Sequence, residues 1–348
     1  MPGSGVRVPP LLLLGRREPG GFRLSPRTQA ASVKRLFAGI LLFASAGCGV
    51  AQARVPTPSA PASPQGGGGD SVLIAAAGDL VCGFDTPPNI PCYHMRTAAV
   101  VKELNPAALL LLGDVQYENG ASVDFQSYYE PAFGEFKSIT YPSPGNHEYF
   151  TPGASGYFDY FNGVGVDSGR AGSRRRGYYS FNLGAWHIVA LNSNCREIGG
   201  CGARSPQATW LKADLAANRA KCTLAFTHSS RFSSGEHGND DLLRDLWQIL
   251  HDAGADVVLS GHDHTYERFK PQDAFGRADD KRGLRAFVVG TGGKGLGRFM
   301  RERPNSEIRD NSSIGVLTMT LRAESYSWRF APVPPLPLKD SGEGTCHD

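Results

Sequence analysis

The sequence predicts an α/β fold in which one domain of about 260 residues follows an N-terminal leader. The chain has 348 residues, of which 41% are hydrophobic and 20% charged, so it can bury a large core. Short apolar runs at 72–77 and 108–112 flank a helical pattern at 94–104, which is typical of a βαβ unit with buried parallel strands. Beyond residue 70 there is no repeat and no second break in composition, which favours a single domain.

The charge distribution argues against nucleic acid as the main partner. The formal net charge is +3, but seven of the 36 basic residues and only one acidic residue lie within 1–53. The rest of the chain therefore carries a net charge of −3 and has no global basic field. No apolar stretch reaches the roughly 20 residues that a membrane-spanning helix needs, so no membrane span is expected.

Residues 1–53 have the layout of a leader that ends in a secretory signal peptide. Lys34 and Arg35 precede an apolar stretch at 36–46, and small residues follow up to an A-x-A site at 51–53. The mature protein is therefore expected to be exported, either secreted or held at the cell surface or in the periplasm. Cys48 offers an alternative, as the lipid acceptor of a bacterial lipoprotein. Residues 54–69 are rich in Pro, Ser and Gly, which predicts a linker.

Six cysteines follow the leader, and an even number in an exported chain predicts disulfides. Many pairings are possible, but closeness in sequence favours two short loops and leaves the remaining two cysteines for each other. The favoured pairs are Cys82–Cys92, Cys195–Cys201 and Cys222–Cys346. A zinc site is the competing interpretation, but no C-x-x-C pair supports it.

Further elements follow the first βαβ unit in alternation. Residues 178–192 alternate like a pair of strands joined at Gly184, and Ser205-Pro206 opens a helix that is expected to end near Ala220. A strand at 222–227, a helix at 240–253 and a strand at 256–260 come next. Three more strands are predicted at 286–290, 314–321 and 324–330.

Polar clusters that begin with glycine follow four of the predicted strands. They are Gly78-Asp79, GDVQY at 113–117, GNHE at 145–148 and GHDH at 261–264. Each cluster alone is more often a turn than a ligand, because Asp and Gly are good turn formers. Ligands of open α/β sheets bind at the carboxyl ends of the strands, however, so the four clusters are expected to converge. Asp, Asn, His and Tyr side chains that converge at one sheet edge make a metal site.

This ordered set of motifs, completed by a histidine after the strand at 222–227 and by GHDHTYER at 261–268, resembles a known family. It is similar to the metallophosphoesterases of the calcineurin-like superfamily, specifically an exported, bacterial form of the purple acid phosphatase branch. The resemblance covers about residues 72–330. Most of that superfamily has a D-x-H first motif, whereas Asp79 is followed here by Leu80 and Val81. Tyr117 is the residue that distinguishes the branch.

The resemblance implies a four-layer αββα sandwich with mixed sheets and a metal site at the carboxyl ends of the strands. It implies a catalytic domain over 70–331, followed by a C-terminal tail at 332–348. It also implies two metal ions that are bridged by Asp114. The other ligands would be Asp79, Tyr117 and His264 on one ion and Asn146, His228 and His262 on the other. Phenolate and carboxylate suit Fe(III), whereas imidazole and amide suit a divalent ion such as Fe(II), Zn(II) or Mn(II).

The implied activity is that of an acid-phosphatase-like hydrolase acting on small-molecule phosphate monoesters. A metal-bound hydroxide would attack phosphorus directly, without a covalent enzyme intermediate. His147 and His237 match the family's outer-sphere histidines, and either could protonate the leaving alkoxide. A phosphodiesterase or nucleotide hydrolase on the same scaffold is the alternative. A non-catalytic surface protein that binds metal or phosphate is the alternative from a different class. The segment TGGKG at 291–295 lacks the Walker spacing and is interpreted as a glycine-rich turn near the site.

Overall fold

The structure is a computed structural model that describes residues 71–347. The predicted leader at 1–53, the linker at 54–69 and the alternative lipid site at Cys48 lie outside the described residues. The strands of the described part are β1 (Ser71–Ala77), β2 (Ala108–Leu112), β3 (Thr140–Ser143), β4 (Ser168–Gly169), β5 (Gly172–Ser173), β6 (Tyr179–Leu183), β7 (Trp186–Ala190), β8 (Cys222–Phe226), β9 (Val257–Ser260), β10 (Tyr266–Phe269), β11 (Arg285–Val289), β12 (Ser306–Asp310), β13 (Gly315–Arg322), β14 (Ser325–Pro332) and β15 (Ser341–Thr345).

Helices connect these strands. The α-helices are α1 (His94–Leu104), α2 (Ser122–Asp124), α3 (Glu130–Phe133), α4 (Ser155–Asn162), α5 (Pro206–Ala217) and α6 (Arg244–Asp252). A π-helical turn at Phe125–Tyr129 joins α2 to α3, and 3₁₀ turns lie at Gly134–Ile139, Glu148–Phe150, Pro152–Ala154 and Asp241–Leu243. Within 71–347 no helix has the length and apolar composition needed to cross a membrane.

Two mixed sheets form the centre of the fold. The first has the order β15-β14-β13-β1-β2-β3, and the second has the order β12-β10-β11-β9-β8-β7-β6, while β4 and β5 pair in a separate small hairpin. Strands β1, β2 and β3 run parallel, as do β7, β8, β9 and β11. The parallel register aligns the strand ends, because Ala77 lies beside Leu111 and Leu112 lies beside Ser143. The loops that follow these strands therefore leave the sheet side by side.

Alternation along the strands creates three apolar cores. Ile74 and Leu110 of the first sheet pack against residues such as Leu224 of the second sheet. Ala75, the next residue along β1, belongs instead to the core that the first sheet shares with α1 and α4. A third core lies between the second sheet and helices α5 and α6. Successive side chains of a strand point to opposite faces, so each sheet is covered on both sides and the layers run helix, sheet, sheet, helix. The predicted four-layer sandwich is confirmed.

Most of the predicted elements are confirmed. Helices α5 and α6 are both shorter than the sequence predicts. Helix α5 starts after Ser205, whose side chain accepts a hydrogen bond from the Ala208 amide at 3.1 Å, but it ends at Ala217 rather than near Ala220. Helix α6 covers Arg244–Asp252 within the predicted 240–253. Asp240 caps a 3₁₀ turn instead of the helix itself, because its carboxylate accepts from the Leu242 amide.

Five strands were not predicted, namely β4, β5, β10, β12 and β15, and none of them has a periodic apolar pattern. Strand β12 has the sequence SEIRD and is the edge strand of the second sheet. Strand β15 lies in the segment after 331 that the sequence suggests is a tail, and it pairs antiparallel with β14. Its Gly342 and Gly344 lie against Trp328 and Tyr326, where a Cβ atom would approach the rings to 2.4 and 2.5 Å. Aromatic side chains of β14 thus explain why glycine occupies this strand, and the sheet continues to Thr345.

The three predicted disulfides are confirmed: Cys82–Cys92, Cys195–Cys201 and Cys222–Cys346. The first two close short loops, with sequence separations of 10 and 6 residues. The third joins β8 to the end of the described chain across 124 residues. It anchors the segment that carries β15.

We expect loss of the long-range disulfide to destabilise the protein more than loss of the shortest one. Replacing Cys222 and Cys346 by Ser should lower the free energy of unfolding by about 4–5 kcal/mol, against about 2 kcal/mol for the pair Cys195 and Cys201. The reason is that a cross-link removes more conformational entropy from the unfolded chain when it closes a longer loop. Denaturant titration of both double variants measures the difference. Equal losses would contradict this account.

Candidate metal centre

The sequence-predicted site residues converge where the parallel strands of both sheets end. Asp79 follows β1, Asp114 and Tyr117 follow β2, and Asn146 and His147 follow β3. The second sheet contributes His228 after β8 and both His262 and His264 after β9. His237 lies on the long loop between β8 and α6. The contacts below bring all nine predicted residues into one cluster.

Asp79, Tyr117 and His264 form what we call the tyrosine group. The Tyr117 hydroxyl lies 2.8 Å from Asp79 Oδ1 and 3.0 Å from His264 Nε2. Its distance to Asp114 Oδ2 is 3.1 Å. Asp79 and Tyr117 are almost fully buried. Three donor side chains from three different loops thus meet around one phenol oxygen.

Asn146, His228 and His262 form what we call the imidazole group. His228 Nε2 lies 3.0 Å from Asn146 Oδ1 and 3.1 Å from His262 Nδ1. Its distance to Asp114 Oδ2 is 3.3 Å. The ligand atoms of Asp114, His228 and His262 all lie within 4.8 Å of one another. The same oxygen of Asp114 therefore contacts both groups.

Backbone carbonyls orient two of the histidines. His228 Nδ1 lies 2.8 Å from the Leu112 carbonyl oxygen, and His264 Nδ1 lies 2.8 Å from the Gly295 carbonyl oxygen. Only an N–H can donate to a carbonyl, so in each ring Nδ1 holds the proton and Nε2 faces the cluster. Metal-binding histidines are commonly held in this way. Both rings therefore present a nitrogen lone pair to the centre when they are neutral.

The backbone at the site adopts conformations that side-chain-bearing residues rarely use. Asp79, Asp114 and His262 have φ angles of 62°, 47° and 72°, in the left-handed region. The glycines beside them permit close packing, since a Cβ on Gly113 would lie 2.5 Å from the His228 ring and one on Gly145 would lie 2.1 Å from Asp114 Oδ1. Such conformations cost about 1–3 kcal/mol each and cluster at functional sites.

The electrostatics of the cluster favour a bound cation. Burial raises the pKa of Tyr117 well above its usual value, and the carboxylates of Asp114 and Asp79 raise it further. Burial lowers the pKa of His228, but Asp114 and Asp79 outweigh burial and raise it to about 10. A proton on His228 thus compensates the buried carboxylates. A metal cation could take over that role, and it would also stabilise a phenolate at Tyr117.

The donor set fits metal ions well. It contains two carboxylates, a phenol, an amide oxygen and three imidazoles. His228 Nε2 faces the acceptor atoms of Asn146, His262 and Asp114 at distances of 3.0–3.3 Å. Oxygen donors dominate the tyrosine group, whereas nitrogen donors dominate the imidazole group. Hard oxygen ligands suit a trivalent ion and imidazoles suit a divalent one. These residues could therefore hold two different ions, with Asp114 between them.

The two predicted catalytic histidines flank the cluster. The His147 ring packs edge-on against Tyr117 with 4.5 Å between ring centroids, and its Nδ1 contacts the Glu118 carbonyl oxygen. His147 Nε2 faces Asp114 Oδ2 at 3.9 Å. His237 is exposed and stacks on His262 with 4.0 Å between ring centroids. Both imidazoles therefore lie at the border of the cluster.

Glu148 is a site residue that sequence reasoning missed. It is fully buried, and its carboxylate accepts hydrogen bonds from four backbone amides. The donors are the amides of Asp114, Val115, Gln116 and Gly145, at 2.7–3.2 Å. Burial and the Asp114 carboxylate raise the pKa of Glu148 to about 7. This one side chain joins the loop after β2 to the loop after β3. The sequence signal was its place within GNHE, beside two candidate site residues.

Asp263 joins the loop of His237 to the loop that follows β9. Its Oδ1 accepts from the His237 amide at 2.8 Å, and its Oδ2 contacts the Ser233 hydroxyl and the Gly238 amide. Asp263 is buried, with 2% of its surface exposed. The Asp263 carboxylate therefore positions the loop that carries His237. In the sequence, Asp263 lies between the candidate ligands His262 and His264.

The glycine-rich turn at 291–295 does lie at the site, as predicted. The Lys294 amide donates to the Asp79 carbonyl oxygen at 3.0 Å, and the Gly295 carbonyl oxygen contacts His264. The Lys294 ammonium is buried over the Tyr117 ring, 4.0 Å from its centroid, and contacts Glu118. A fixed cation on the ring face lowers the energy of negative charge on the phenol. Sequence reasoning placed the turn but assigned no role to Lys294.

Comparison with known proteins identifies a family for most of this domain. The family model described as calcineurin-like phosphoesterase matches residues 72–266, more than half of the chain. Purple acid phosphatase 21 of Arabidopsis thaliana is 34% identical over 145 residues, covering 39% of this chain and 32% of that protein. The chain thus spans about a third of the length of the curated relatives that it matches at 33–34% identity.

Two solved structures share the fold. Purple acid phosphatase PPD1 from yellow lupin (Lupinus luteus) seeds has a TM-score of 0.66 at 17% identity, covering 82% of this chain and 55% of that chain. GAP50, described as the anchor in the inner membrane complex of Plasmodium, has a TM-score of 0.57 at 14% identity, covering 80% and 90%. At these identities the structural matches show the fold alone.

We expect the Glu148→Gln variant to unfold more readily than the parent protein. The amide nitrogen of Gln donates rather than accepts, so at least one buried backbone N–H loses its acceptor, which costs about 1–3 kcal/mol. Denaturant unfolding of the metal-free protein measures the loss. Glu103→Gln on the exposed face of α1 is the matched control and should stay within about 0.5 kcal/mol. A Glu148→Gln protein as stable as this control would contradict the role given to Glu148.

Proposed function

The chain belongs to the calcineurin-like phosphoesterase family, in its purple acid phosphatase-like branch, and on that premise we propose that it is an exported phosphomonoesterase with a binuclear metal centre. The observation that carries the proposal is that seven donor side chains from five loops form one cluster, in which each donor atom lies within 3.3 Å of at least one other. Metal sites of this kind serve the hydrolysis of phosphate esters.

We assign the tyrosine group to one metal ion and the imidazole group to the other. Asp114 would be shared by both ions, and this assignment rests on its Oδ2, which lies 3.1 Å from the Tyr117 hydroxyl and 3.3 Å from His228 Nε2. Fe(III) suits the tyrosine group, and a divalent Fe, Zn or Mn ion suits the imidazole group. Bound there, the two ions would activate a water molecule and neutralise charge on the phosphate.

The chain's own groups then orient the ester and move its protons. His147 lies next to Asn146, and its Nδ1 donates to the Glu118 carbonyl oxygen. Its Nε2 faces the centre and can donate to a phosphate oxygen when the ring carries both protons. His237, exposed above the imidazole group, is placed to exchange protons with solvent and to protonate a departing alkoxide. His147 is the other candidate for that proton. The alcohol leaves as the P–O bond breaks, and water supplies the new P–OH.

Export is supported by the three disulfides, because such bonds persist in oxidising compartments. The signal peptide, the linker at 54–69 and the lipid acceptor Cys48 remain predictions outside the described residues. We propose residues 70–331 as the catalytic domain, to which the segment with β15 adds an edge strand.

Two other functions compete with this proposal. A phosphodiesterase or nucleotide hydrolase would use the same donor set on a different ester. A non-catalytic role has a structural parallel in GAP50, which shares the fold and is described as an anchor. The complete set of converging donors in this chain favours catalysis, since a purely structural surface has no need for strained loops around buried carboxylates.

Metal-loaded protein should hydrolyse 4-nitrophenyl phosphate faster than bis(4-nitrophenyl) phosphate or a nucleoside diphosphate. Asp114→Asn should bind less metal at both positions and lose more than the roughly 10–100-fold in activity that outer-shell changes cause. Metal content per chain and initial rates test this, with the exposed Asp252→Asn as the matched control. Two metals per chain in Asp114→Asn would refute the bridging role. Faster hydrolysis of the diester would favour the first alternative, and no turnover of any ester the second.

Tyr117→Phe should abolish a visible absorption band of the iron-loaded, oxidised protein. A phenolate bound to Fe(III) absorbs visible light by charge transfer, and loss of this hard donor should also weaken retention of ferric iron. The control is Tyr160→Phe, which removes a phenol that contacts Glu130 instead of the cluster. An unchanged spectrum in Tyr117→Phe, or a colourless iron-loaded parent, would eliminate Tyr117 as a ligand.

A further inference from the structure

The buried ammonium of Lys294 lies beside the tyrosine group, and no step of the proposed reaction uses it. It lies 4.0 Å from the centroid of the Tyr117 ring and contacts the Glu118 carboxylate. Only 6% of the Lys294 side chain is exposed, against 28% of the Glu118 side chain. Lysine is rarely buried to this extent, because removing its charge from water is unfavourable unless a partner compensates for it. The partners here are the face of the ring and the carboxylate of the next residue.

Backbone contacts anchor Lys294 on two sides. Its amide donates to the Asp79 carbonyl oxygen at 3.0 Å, and the Tyr93 amide donates to the Gly293 carbonyl oxygen at 2.8 Å. Lys294 also forms an isolated antiparallel bridge with Cys92. The start of the side chain is therefore held between the loop after β1 and the segment that leads into α1.

The Cys82–Cys92 disulfide links the surroundings of Lys294 to those of Tyr117. Next to Cys82, the Val81 carbonyl oxygen accepts a hydrogen bond from the Tyr117 amide at 2.8 Å. At the other end of the disulfide, Cys92 pairs with Lys294. One covalent cross-link thus joins the segment that holds the ring to the segment that holds the cation. The distance between ring and cation is therefore set by the fold and not by one mobile side chain.

A cation on the face of a phenolate changes the energy of the electrons in the ring. Charge transfer from the phenolate to a ferric ion removes an electron from the ring, and this costs more energy beside a cation because their attraction is lost. The carboxylate of Glu118 acts in the opposite sense. Water screens the Lys294 ammonium less than this carboxylate, because the ammonium is the more buried of the two charges. The ion pair as a whole therefore raises the energy of charge transfer.

We propose that Lys294 is a positioning residue that holds the Tyr117 ring and lowers the energy of the electrons that its phenolate donates to the bound metal ion. The proposal rests on the function proposed above, in which Tyr117 is a ligand of the trivalent ion. A phenolate that gives up less charge leaves more positive charge on that ion to attract the phosphate. Lys294 therefore acts through Tyr117 and not on the ester itself.

The visible absorption band of the iron-loaded, oxidised protein measures this effect. We expect Lys294→Met, which removes the charge and keeps a long side chain, to move the band by about 20 nm to longer wavelength. Lys294→Arg keeps the cation and should leave the band near its parent position. Glu118→Gln removes the opposing charge and should move the band to shorter wavelength. The matched control is Lys137→Met, which removes an ammonium 4.2 Å from the ring centroid of Tyr160 and should leave the band unchanged.

A double variant with Lys294→Met and Glu118→Gln removes the ion pair without leaving one charge unpaired. It therefore tests the proposal even if Lys294→Met alone does not fold, because loss of one member of a buried pair is more destabilising than loss of both. We expect a shift to longer wavelength that is smaller than the shift in Lys294→Met.

The outcomes are distinct. A band that stays at the parent wavelength in both Lys294→Met and the double variant overturns the role of Lys294 and leaves the proposed function intact. Shifts of the same sign in Lys294→Met and Glu118→Gln also overturn it, because a ring that is merely loosened responds alike to loss of either partner. A parent protein that binds iron but has no visible band overturns both this role and the assignment of Tyr117 as a ligand.

Discussion

Face-to-face packing of the two sheets is the constraint on which the candidate metal centre depends. The first sheet delivers Asp79, Asp114, Tyr117 and Asn146, and the second delivers His228, His262 and His264. Neither set is complete alone, because the carboxylates and the phenol lie on one side and the imidazoles on the other. The apolar core between the sheets, with Ile74 and Leu110 facing Leu224, sets the separation at which these donors meet. A substitution that alters the packing of this core would therefore change the distances between the donor side chains.

Burying two carboxylates in left-handed backbone conformations is unfavourable, and several neighbours offset the cost. Glu148 satisfies four backbone amides in the loops that carry Asp114 and Asn146. Lys294 brings a buried positive charge over Tyr117, and its loop also fixes His264 through the Gly295 carbonyl. These residues bind no substrate in the arrangement described here. They hold the donors in a geometry that the donors alone would not adopt.

The loops around the centre differ in how firmly they are attached. The segment 192–201 is tied to the loop after β3 by Asn192 and Asn194 and is closed by a disulfide. The loop with His237 depends on Asp263 for its amide contacts, and the His237 ring itself is exposed. The firmly attached segment lies beside Asn146 and Tyr149, and the side that exposes His237 borders solvent.

Local patterns in the sequence were sufficient for most of the strands, for the glycine-led clusters and for the three disulfide pairs, and they singled out polar side chains that the structure brings together. They were insufficient for β12 and β15, which lack apolar alternation and exist because neighbouring strands supply hydrogen bonds and aromatic cover. Tyr117 and His264 are 147 residues apart, and their 3.0 Å contact follows from packing alone. The contacts of Glu148 and Lys294 likewise appear only when distant loops meet. Sequence determines which groups follow each strand because that information is local, whereas tertiary structure decides their distances because those depend on how the two sheets pack.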